Sequence, residues 1–421
     1  HVLSTSLPDH QLNCHLVMPD TSHVCPDSGL AQRLRIAKDG KRVRIDVDPS
    51  LRDGTLARKV LAIVPVDALL DRLVTEPLEL GGYAFAFNDA VEMLEHQLDV
   101  APWAPRLGSH CKSCEFRCGA SDPAGGLRDG RLECLKSVDA VRSHMARAGK
   151  ATVFDLYAFR RIDTLVSEGK LLLLDLDEED VRLKPSDWEI SASHRQWLQV
   201  EESNDALEGA FVLEESIEQA IGTLTYPLHF IDFETSRPAL PFHANRRPYE
   251  QLLFQFSHHQ LEADGRLAHR DQHLADAEAG WPNIDSIRAL KNAIGHDAGS
   301  VLHWWDHERT VLREVREQIA ALDAGGLPDR QELMDFIDDL VGSDGKAGRL
   351  FDLGRCVHRT VFLPGTRGSS SLKKVLPALL ASSESLRERY AQPTYGAPGG
   401  TPSLNFRDQA WIRLDAQGHA I

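Results

Sequence analysis

The pattern of apolar and polar positions changes character three times along the chain. Residues 1–105 mix strand-like segments with helix-like ones, which predicts an α/β fragment that ends a larger domain. The strand-like segments are NCHLVM and a hairpin around the Asp-Gly pair of RLRIAKDGKRVRI. The helix-like segments are TLARKVLAIVPVDALLDRL and FNDAVEMLEHQL.

A Gly- and Cys-rich stretch at 106–135 separates this part from a helical one at 136–222. Two predicted helices in the helical part end in Gly, which is a common C-terminal stop. The predicted helices are SVDAVRSHMARAG, TVFDLYAFRRIDTLVSEG and LEESIEQAIGTL. We interpret 136–222 as a helical linker module.

From residue 223 onwards, runs rich in β-branched and aromatic residues alternate with amphipathic helical patterns. The predicted strands are LHFIDFE, LLFQFSHHQLE and SVLHWW; the predicted helices are SIRALKNAIG, HERTVLREVREQIAAL and RQELMDFIDDLVG. This alternation predicts an α/β fold with a mixed sheet flanked by helices. The 421 residues are therefore divided into 1–135, 136–222 and 223–421.

The formal net charge of −16 argues against a protein that coats nucleic acid through a bulk positive field. It leaves room for a nuclease with phosphate contacts in one local groove. The densest basic run lies on the predicted hairpin. It is interpreted either as an exposed charged face of the hairpin or as a contact with nucleic acid. No apolar segment predicts a membrane span or a secretion signal, so the expected location is the cytoplasm. Because the chain begins at His1 and ends without a polar taper, we expect further sequence at both ends.

Two carboxylates interrupt the apolar run of YPLHFIDFET, where Asp232 and Glu234 point to the same side of a predicted strand. Their apolar flanks predict a buried strand, in which a divalent metal ion or a paired cationic side chain would compensate the two charges. A two-metal phosphodiester hydrolase needs three or four such groups. Glu308 or Asp306 lies at a strand-to-helix junction, and Asp352 follows another apolar run.

Four of the seven cysteines are crowded in the spacing C-x2-C-x3-C-x15-C. In a protein expected in the cytoplasm, where disulfides are rare, such crowding predicts thiolate ligation of zinc or of an iron–sulfur cluster in a structural role. The alternative is a set of incidental buried thiols. The candidate ligands are Cys111, Cys114, Cys118 and Cys134.

Five sequence blocks resemble a bacterial family catalogued as domain of unknown function 2779, which is placed in the ribonuclease H-like DEDD exonuclease superfamily. The blocks cover about 226–421 and are YPLHFIDFET, RRPYEQLLFQFSHH, HERTVL, FDL and GSSSLKKVLPALL. The resemblance implies a ribonuclease H-like fold and a two-metal site with Mg²⁺ or Mn²⁺. Asp232 and Glu234 match the first exonuclease motif and would bind both metals. Glu308 stands where the second motif usually has Asp, and Asp352 matches the family's DL aspartate.

The same resemblance places the last Asp of the superfamily, together with its His or Tyr general base, beyond the last residue of this chain. Lys373 and Ser371 could contact a phosphate at a helix start, or they could be a helix cap with a solvated lysine. Gln255 and His258 are candidates to line the substrate cleft.

The cysteine segment resembles the end of a PD-(D/E)XK nuclease-like domain, as in the iron–sulfur nucleases of CRISPR adaptation and of the RecB type. Cys111, Cys114 and Cys134 match the three downstream ligands of that pattern, and Cys118 is a fourth ligand or a bystander. This resemblance favours a [4Fe–4S] cluster over Zn²⁺. The upstream ligand and the Asp/Glu/Lys motif would precede His1.

The sequence therefore predicts a metal-dependent nuclease, a 3′–5′ exonuclease acting on a single-stranded end of DNA or RNA. The alternative is a catalytically inactive nucleic-acid-binding or assembly module on the same fold. A nucleotide-processing hydrolase on this fold is a third interpretation.

Overall fold

The computed structural model describes most of the chain, with gaps. The described residues are 11–40, 42–52, 60–80, 83–99, 107–118, 126–136, 151–276, 280–323, 326–343 and 345–415. They separate into two compact units. One consists of His1–Trp103, Thr235–Phe254 and Asp276–Asn283; the other consists of Ala104–Glu234, Gln255–Ala275 and Ile284–Ile421. The helix predicted over SVDAVRSHMARAG lies outside the described residues, and the three-part division stays a prediction.

The described residues among the first hundred include short antiparallel strand pairs and two helices that flank β5 and β6. The elements are β1 (His15–Pro19), β2 (Leu34–Asp39), β3 (Arg42–Val47), β4 (Leu61–Pro65), α1 (Asp67–Thr75), β5 (Leu78–Leu80), β6 (Tyr83–Phe85) and α2 (Phe87–Asp99). Strand β1 pairs with β4, β2 with β3, and β5 with β6. The predicted hairpin is therefore confirmed as β2 and β3.

The helix predicted over TLARKVLAIVPVDALLDRL is wrong in its middle, where the chain forms β4 before α1 begins at Asp67, and residues 55–59 lie outside the described residues. The β-branched residues Ile63 and Val64 favour extended backbone. Pro65 has no N–H to donate inside a helix. Together these three residues explain the strand.

The remaining elements follow in chain order from residue 130. They are α3 (Gly130–Lys136), α4 (Ile162–Ser167), α5 (Glu178–Val181), α6 (Ala192–Ser203), β7 (Phe211–Val212), α7 (Glu214–Gly222), β8 (Leu228–Ser236), β9 (Leu252–Leu261), β10 (Leu267–Leu274), α8 (Pro282–Ile294), β11 (Val301–His303), α9 (His307–Ala320), α10 (Arg330–Val341), β12 (Leu350–Asp352), α11 (Leu353–Thr360), β13 (Val361–Phe362), α12 (Leu372–Ser382) and α13 (Glu384–Tyr390). Every helix predicted from residue 223 onwards is present. None of the helices in the described part of the chain is long and apolar enough to cross a membrane.

The long helix predicted over TVFDLYAFRRIDTLVSEG is also wrong in its first half. Only α4 is α-helical there, and it is preceded by a single 3₁₀ turn at Val153–Asp155. Ala158 has a φ of 48°, a left-handed backbone conformation that interrupts a helix. Val153, Phe154 and Leu156 are all buried in one core.

A five-stranded mixed sheet has the order β10-β9-β8-β11-β12. Strands β9 and β10 are antiparallel, whereas β11 is parallel both to β8 and to β12. The predicted mixed α/β architecture is therefore confirmed. Because β8, β11 and β12 run in one direction, the residues at their carboxyl ends lie at the same edge of the sheet.

Helices α9 and α10 bury apolar stripes of helical periodicity. The stripes are Val311, Leu312, Val315 and Ile319 on α9 and Leu333, Phe336, Ile337 and Leu340 on α10. An ion pair between Arg316 Nη2 and Asp338 Oδ2, 2.6 Å apart, links the two helices. This packing fixes the start of α9, where one of the predicted site residues lies.

Candidate active site

Strand β8 presents two carboxylates to solvent at its carboxyl end. Asp232 and Glu234 are exposed, whereas Ile231 and Phe233 between and beside them are buried. This alternation confirms that the two carboxylates lie on one face of the strand. The expectation that they are buried is wrong, because only the opposite face of this part of β8 packs into the core.

A third carboxyl group, that of Glu308 in the first turn of α9, is only 4% exposed. Burial, together with the charges of Asp232 and Asp352, raises its pKa to about 7, against the opposing effect of the backbone N–H groups of Glu308 and Phe233. Asp232 and Asp352 are therefore near enough to Glu308 for their charges to act on it. The Oε2 atom of Glu308 is buried and has no hydrogen-bond partner among the described residues.

Glu308 and not Asp306 is the residue that joins this cluster. The Asp306 side chain is exposed, and its Oδ2 accepts a hydrogen bond from Arg355 Nη2 at 2.7 Å. The sequence allowed either residue at the strand-to-helix junction, and the structure distinguishes them by burial.

Asp352, the last residue of β12, holds the backbone around it. Its Oδ1 accepts hydrogen bonds from the N–H groups of Arg355, at 2.8 Å, and Trp305, at 3.0 Å. The first bond caps the start of α11. The second fixes Trp305, whose φ of 66° is left-handed. Asp352 therefore has a structural role in addition to its place in the carboxylate cluster.

His303, which no sequence motif singled out, ends β11 beside Glu308. Its fully buried side chain donates a hydrogen bond from Nδ1 to the carbonyl of Trp305. Nδ1 lies 3.7 Å from Glu308 Oε2, and Nε2 has no partner within the described ranges. Burial lowers the pKa of His303, although the charge of Asp352 opposes the shift. A neutral imidazole that donates from Nδ1 leaves Nε2 as an acceptor. The one signal in the sequence was a polar residue inside the apolar run SVLHWW.

The candidate substrate residues lie in different surroundings. Lys373 is exposed in the first turn of α12, and Ser371 occupies the N-cap position of that helix without a side-chain capping bond. Gln255 lines a cavity of about 630 Å³ together with His259 and Trp411.

His258 does not fit the predicted contact with substrate, because its side chain is fully buried and both ring nitrogens are engaged. Its Nε2 lies 2.9 Å from His229 Nδ1, and its Nδ1 lies 3.0 Å from Asp271 Oδ2. His229 Nε2 in turn lies 3.0 Å from Asp297 Oδ1. Burial lowers the pKa of His258 to about 4. This hydrogen-bonded row of side chains links β8, β9 and β10.

Cys134 lies near enough to Cys111 and Cys114 for their charges to act on it. Cys111 lies on a 3₁₀ turn at Ser109–Ser113, Cys114 follows it, and Cys134 lies on α3. Burial raises the pKa of Cys134, and the charges of Cys111 and Cys114 raise it further. Cys118 is positioned by its N–H, which donates to Asp129 Oδ2 at 3.1 Å.

Hard carboxylate oxygens suit Mg²⁺ or Mn²⁺, and clustered thiolates suit zinc or iron. The donor types at both sites therefore fit the expected metals, and the unpartnered Glu308 oxygen offers one ligand position. Over the described ranges, however, no three His, Cys, Asp or Glu side chains are already grouped in a way that could hold a metal ion. Both metal sites stay predictions.

Comparisons with curated proteins and with solved structures give no match. A comparison with family models does give one. Residues 229–371, which include Asp232, Glu308 and Asp352, match the model described as Domain of unknown function (DUF2779), and this match supports the family inferred from the sequence blocks.

Proposed function

We propose that this protein is a metal-dependent nuclease of the ribonuclease H-like DEDD type, a 3′–5′ exonuclease that hydrolyses phosphodiester bonds of DNA or RNA. One observation carries the proposal. Asp232 and Asp352 lie towards the carboxyl ends of parallel strands β8 and β12, their charges act on Glu308 in the helix that follows β11, and Glu308 has a buried oxygen without a partner among the described residues.

The location and the electrostatics both support a cation-dependent site. Open α/β sheets bind their ligands outside the carboxyl ends of the strands. Like charges held near each other, one of them desolvated, are unfavourable until a positive charge joins them. A five-stranded mixed sheet flanked by helices is also what the ribonuclease H-like assignment requires.

Asp232, Glu234 and Glu308 would hold the metal ions, and Asp352 would hold α11 and Trp305 in place beside them. Bound Mg²⁺ or Mn²⁺ would supply an activated water and stabilise the leaving oxygen. His303 Nε2 can accept a hydrogen bond next to Glu308. Exposure of Asp232 and Glu234 lets their side chains change rotamer at little cost when a cation binds.

The test is incubation of the full-length protein with 5′-labelled single strands in the presence of Mg²⁺ or Mn²⁺. We expect a ladder of products shortened from the 3′ end, and no products in excess chelator. Strands that bind without being cut under any of these metal conditions would overturn the proposal and leave the inactive binding module as the function.

We also propose that Cys111, Cys114 and Cys134, with Cys118 as the fourth ligand, hold a structural [4Fe–4S] cluster, with Zn²⁺ as the alternative. Burial and the charges of the neighbouring thiolates disfavour deprotonation of Cys134. A bound metal cation would reverse this effect and stabilise the thiolate form.

Cys134→Ser is expected to remove most of the bound metal, because each missing ligand weakens a four-thiolate site strongly. Iron, sulfide and zinc content of anaerobically purified protein gives the measurement, and a broad visible absorbance band distinguishes the cluster from colourless zinc. Cys14→Ser is the matched control. Equal metal content in both variants and the wild type would contradict this assignment.

A further inference from the structure

An open groove of about 590 Å³ leads away from Asp352 between α7 and α11. Phe351 and Asp352 line one end, and Trp188 lines another part of its wall. Arg355 and Arg359 of α11 lie along one side. Asp352 therefore belongs both to the carboxylate cluster and to this groove.

The two arginines are four residues apart, so they lie on one face of α11 and about 6 Å apart along its axis. This separation is similar to that of neighbouring phosphates in an extended single strand. Guanidinium groups recognise phosphates through paired N–H donors. Arg359 is 57% exposed and its Nε lies 3.5 Å from Glu189 Oε2, which is also exposed. Arg355 is paired with exposed Asp306 at 2.7 Å and with Asp352 at 3.3 Å. Since exposed ion pairs contribute little, a phosphate can displace Glu189 from Arg359 and Asp306 from Arg355.

Trp188 supplies an aromatic surface beside these cations. It is 66% exposed, yet its loop is ordered by hydrogen bonds. The Trp188 N–H donates to Ser186 Oγ at 3.2 Å. An exposed indole on an anchored loop can stack on any base, because every base has a π-face.

Helix α11 is held at both ends. Asp352 caps its first turn, and Arg195, which is 1% exposed, donates from Nη2 to the carbonyls of His358 and Val361 at the other end. The arginine face is therefore fixed with respect to the carboxylate at position 352.

We propose that this groove is the binding track for the single-stranded segment whose 3′ end lies at Asp232, Glu308 and Asp352, with phosphates on Arg355 and Arg359 and a base stacked on Trp188. The inference rests on the proposed function only for where the 3′ end of the strand lies; binding of the strand in the groove can be tested without hydrolysis.

The experiment measures binding of a short fluorescently labelled single strand in chelator, by anisotropy over a series of salt concentrations. Trp188→Ala is expected to weaken binding about 10-fold or more, and Trp188→Phe should retain most of the affinity. Arg359→Gln is expected to flatten the slope of log affinity against log salt by about 0.7, the contribution of one phosphate contact on a single strand. Arg266→Gln is the matched control, because Arg266 is exposed and paired with exposed Asp264 in the turn between β9 and β10.

The outcomes separate the two proposals. If the groove variants weaken binding and no hydrolysis occurs, the track stands and the exonuclease proposal falls. If metal-dependent hydrolysis occurs but Trp188→Ala and Arg359→Gln bind like Arg266→Gln, the track is overturned and the exonuclease proposal stands. A higher KM with little change in kcat in the groove variants would support both.

Discussion

Replacing Asp232 with Asn is expected to reduce single-turnover hydrolysis by about 1000-fold or more while leaving the protein folded. Asn keeps the shape of the side chain but removes the negative charge that would hold the cations, and electrostatic groups of this kind supply the largest share of catalysis. Because Asp232 is exposed on β8, the free energy of unfolding should change by no more than about 0.5 kcal/mol. Rates at saturating Mg²⁺ and thermal melting give the two measurements.

Asp264→Asn is the control for this experiment, since it removes an exposed carboxylate in the turn between β9 and β10. It should hydrolyse strands at the wild-type rate. If Asp232→Asn combined with Glu234→Gln also retains that rate, the reactive centre is not at the end of β8.

Glu308→Gln is expected to lower hydrolysis by about 100-fold or more and, in chelator, to make the protein more stable at pH 8. The first effect follows from loss of a charge in the carboxylate cluster. The second follows from burial, because a neutral amide no longer leaves a desolvated charge whose Oε2 lacks a partner among the described residues.

The pH dependence has a definite sign. Burial raises the pKa of Glu308 from an ordinary 4.5 to about 7. The folded state therefore binds this proton more tightly than the unfolded state does. The contribution to stability is present below pH 4.5 and is lost as the pH rises through about 7, with an upper limit of about 3 kcal/mol.

Chemical denaturation in chelator at pH 5 and pH 8 measures this difference, and Gln at position 308 should largely remove it. Glu332→Gln, an exposed carboxylate on α10 that pairs with Lys291, is the control. If Glu308→Gln hydrolyses strands normally and loses the same stability at both pH values, Glu308 is a structural residue only.

The local pattern of apolar and polar residues was sufficient to predict the strands and helices with strong periodicity. The apolar runs of β8, β9 and β11 and the amphipathic repeats of α9 and α10 all appear where the sequence predicts them. The sequence did not predict β10, because LAHRDQHL is polar at most positions and its pairing with β9 comes from tertiary context.

The candidate site was only partly predictable for a similar reason. The i and i+2 spacing of Asp232 and Glu234 is a local property of a strand. The burial of Glu308 and His303 depends on segments far apart in the chain, which strand order brings together. Trp188 and Arg359 show no local pattern that would connect them with Asp352.

The interaction of the Phe233 N–H with the Glu308 carboxylate bears on why position 308 carries Glu rather than Asp. Glu is longer than Asp by one methylene, and therefore by about 1.5 Å of covalent reach. In this protein that extra length carries the Glu308 carboxylate from α9 towards β8. Glu308→Asp would need α9 displaced towards the strand by a similar amount to keep the same interaction, so the length of this one side chain and the offset of the helix are linked.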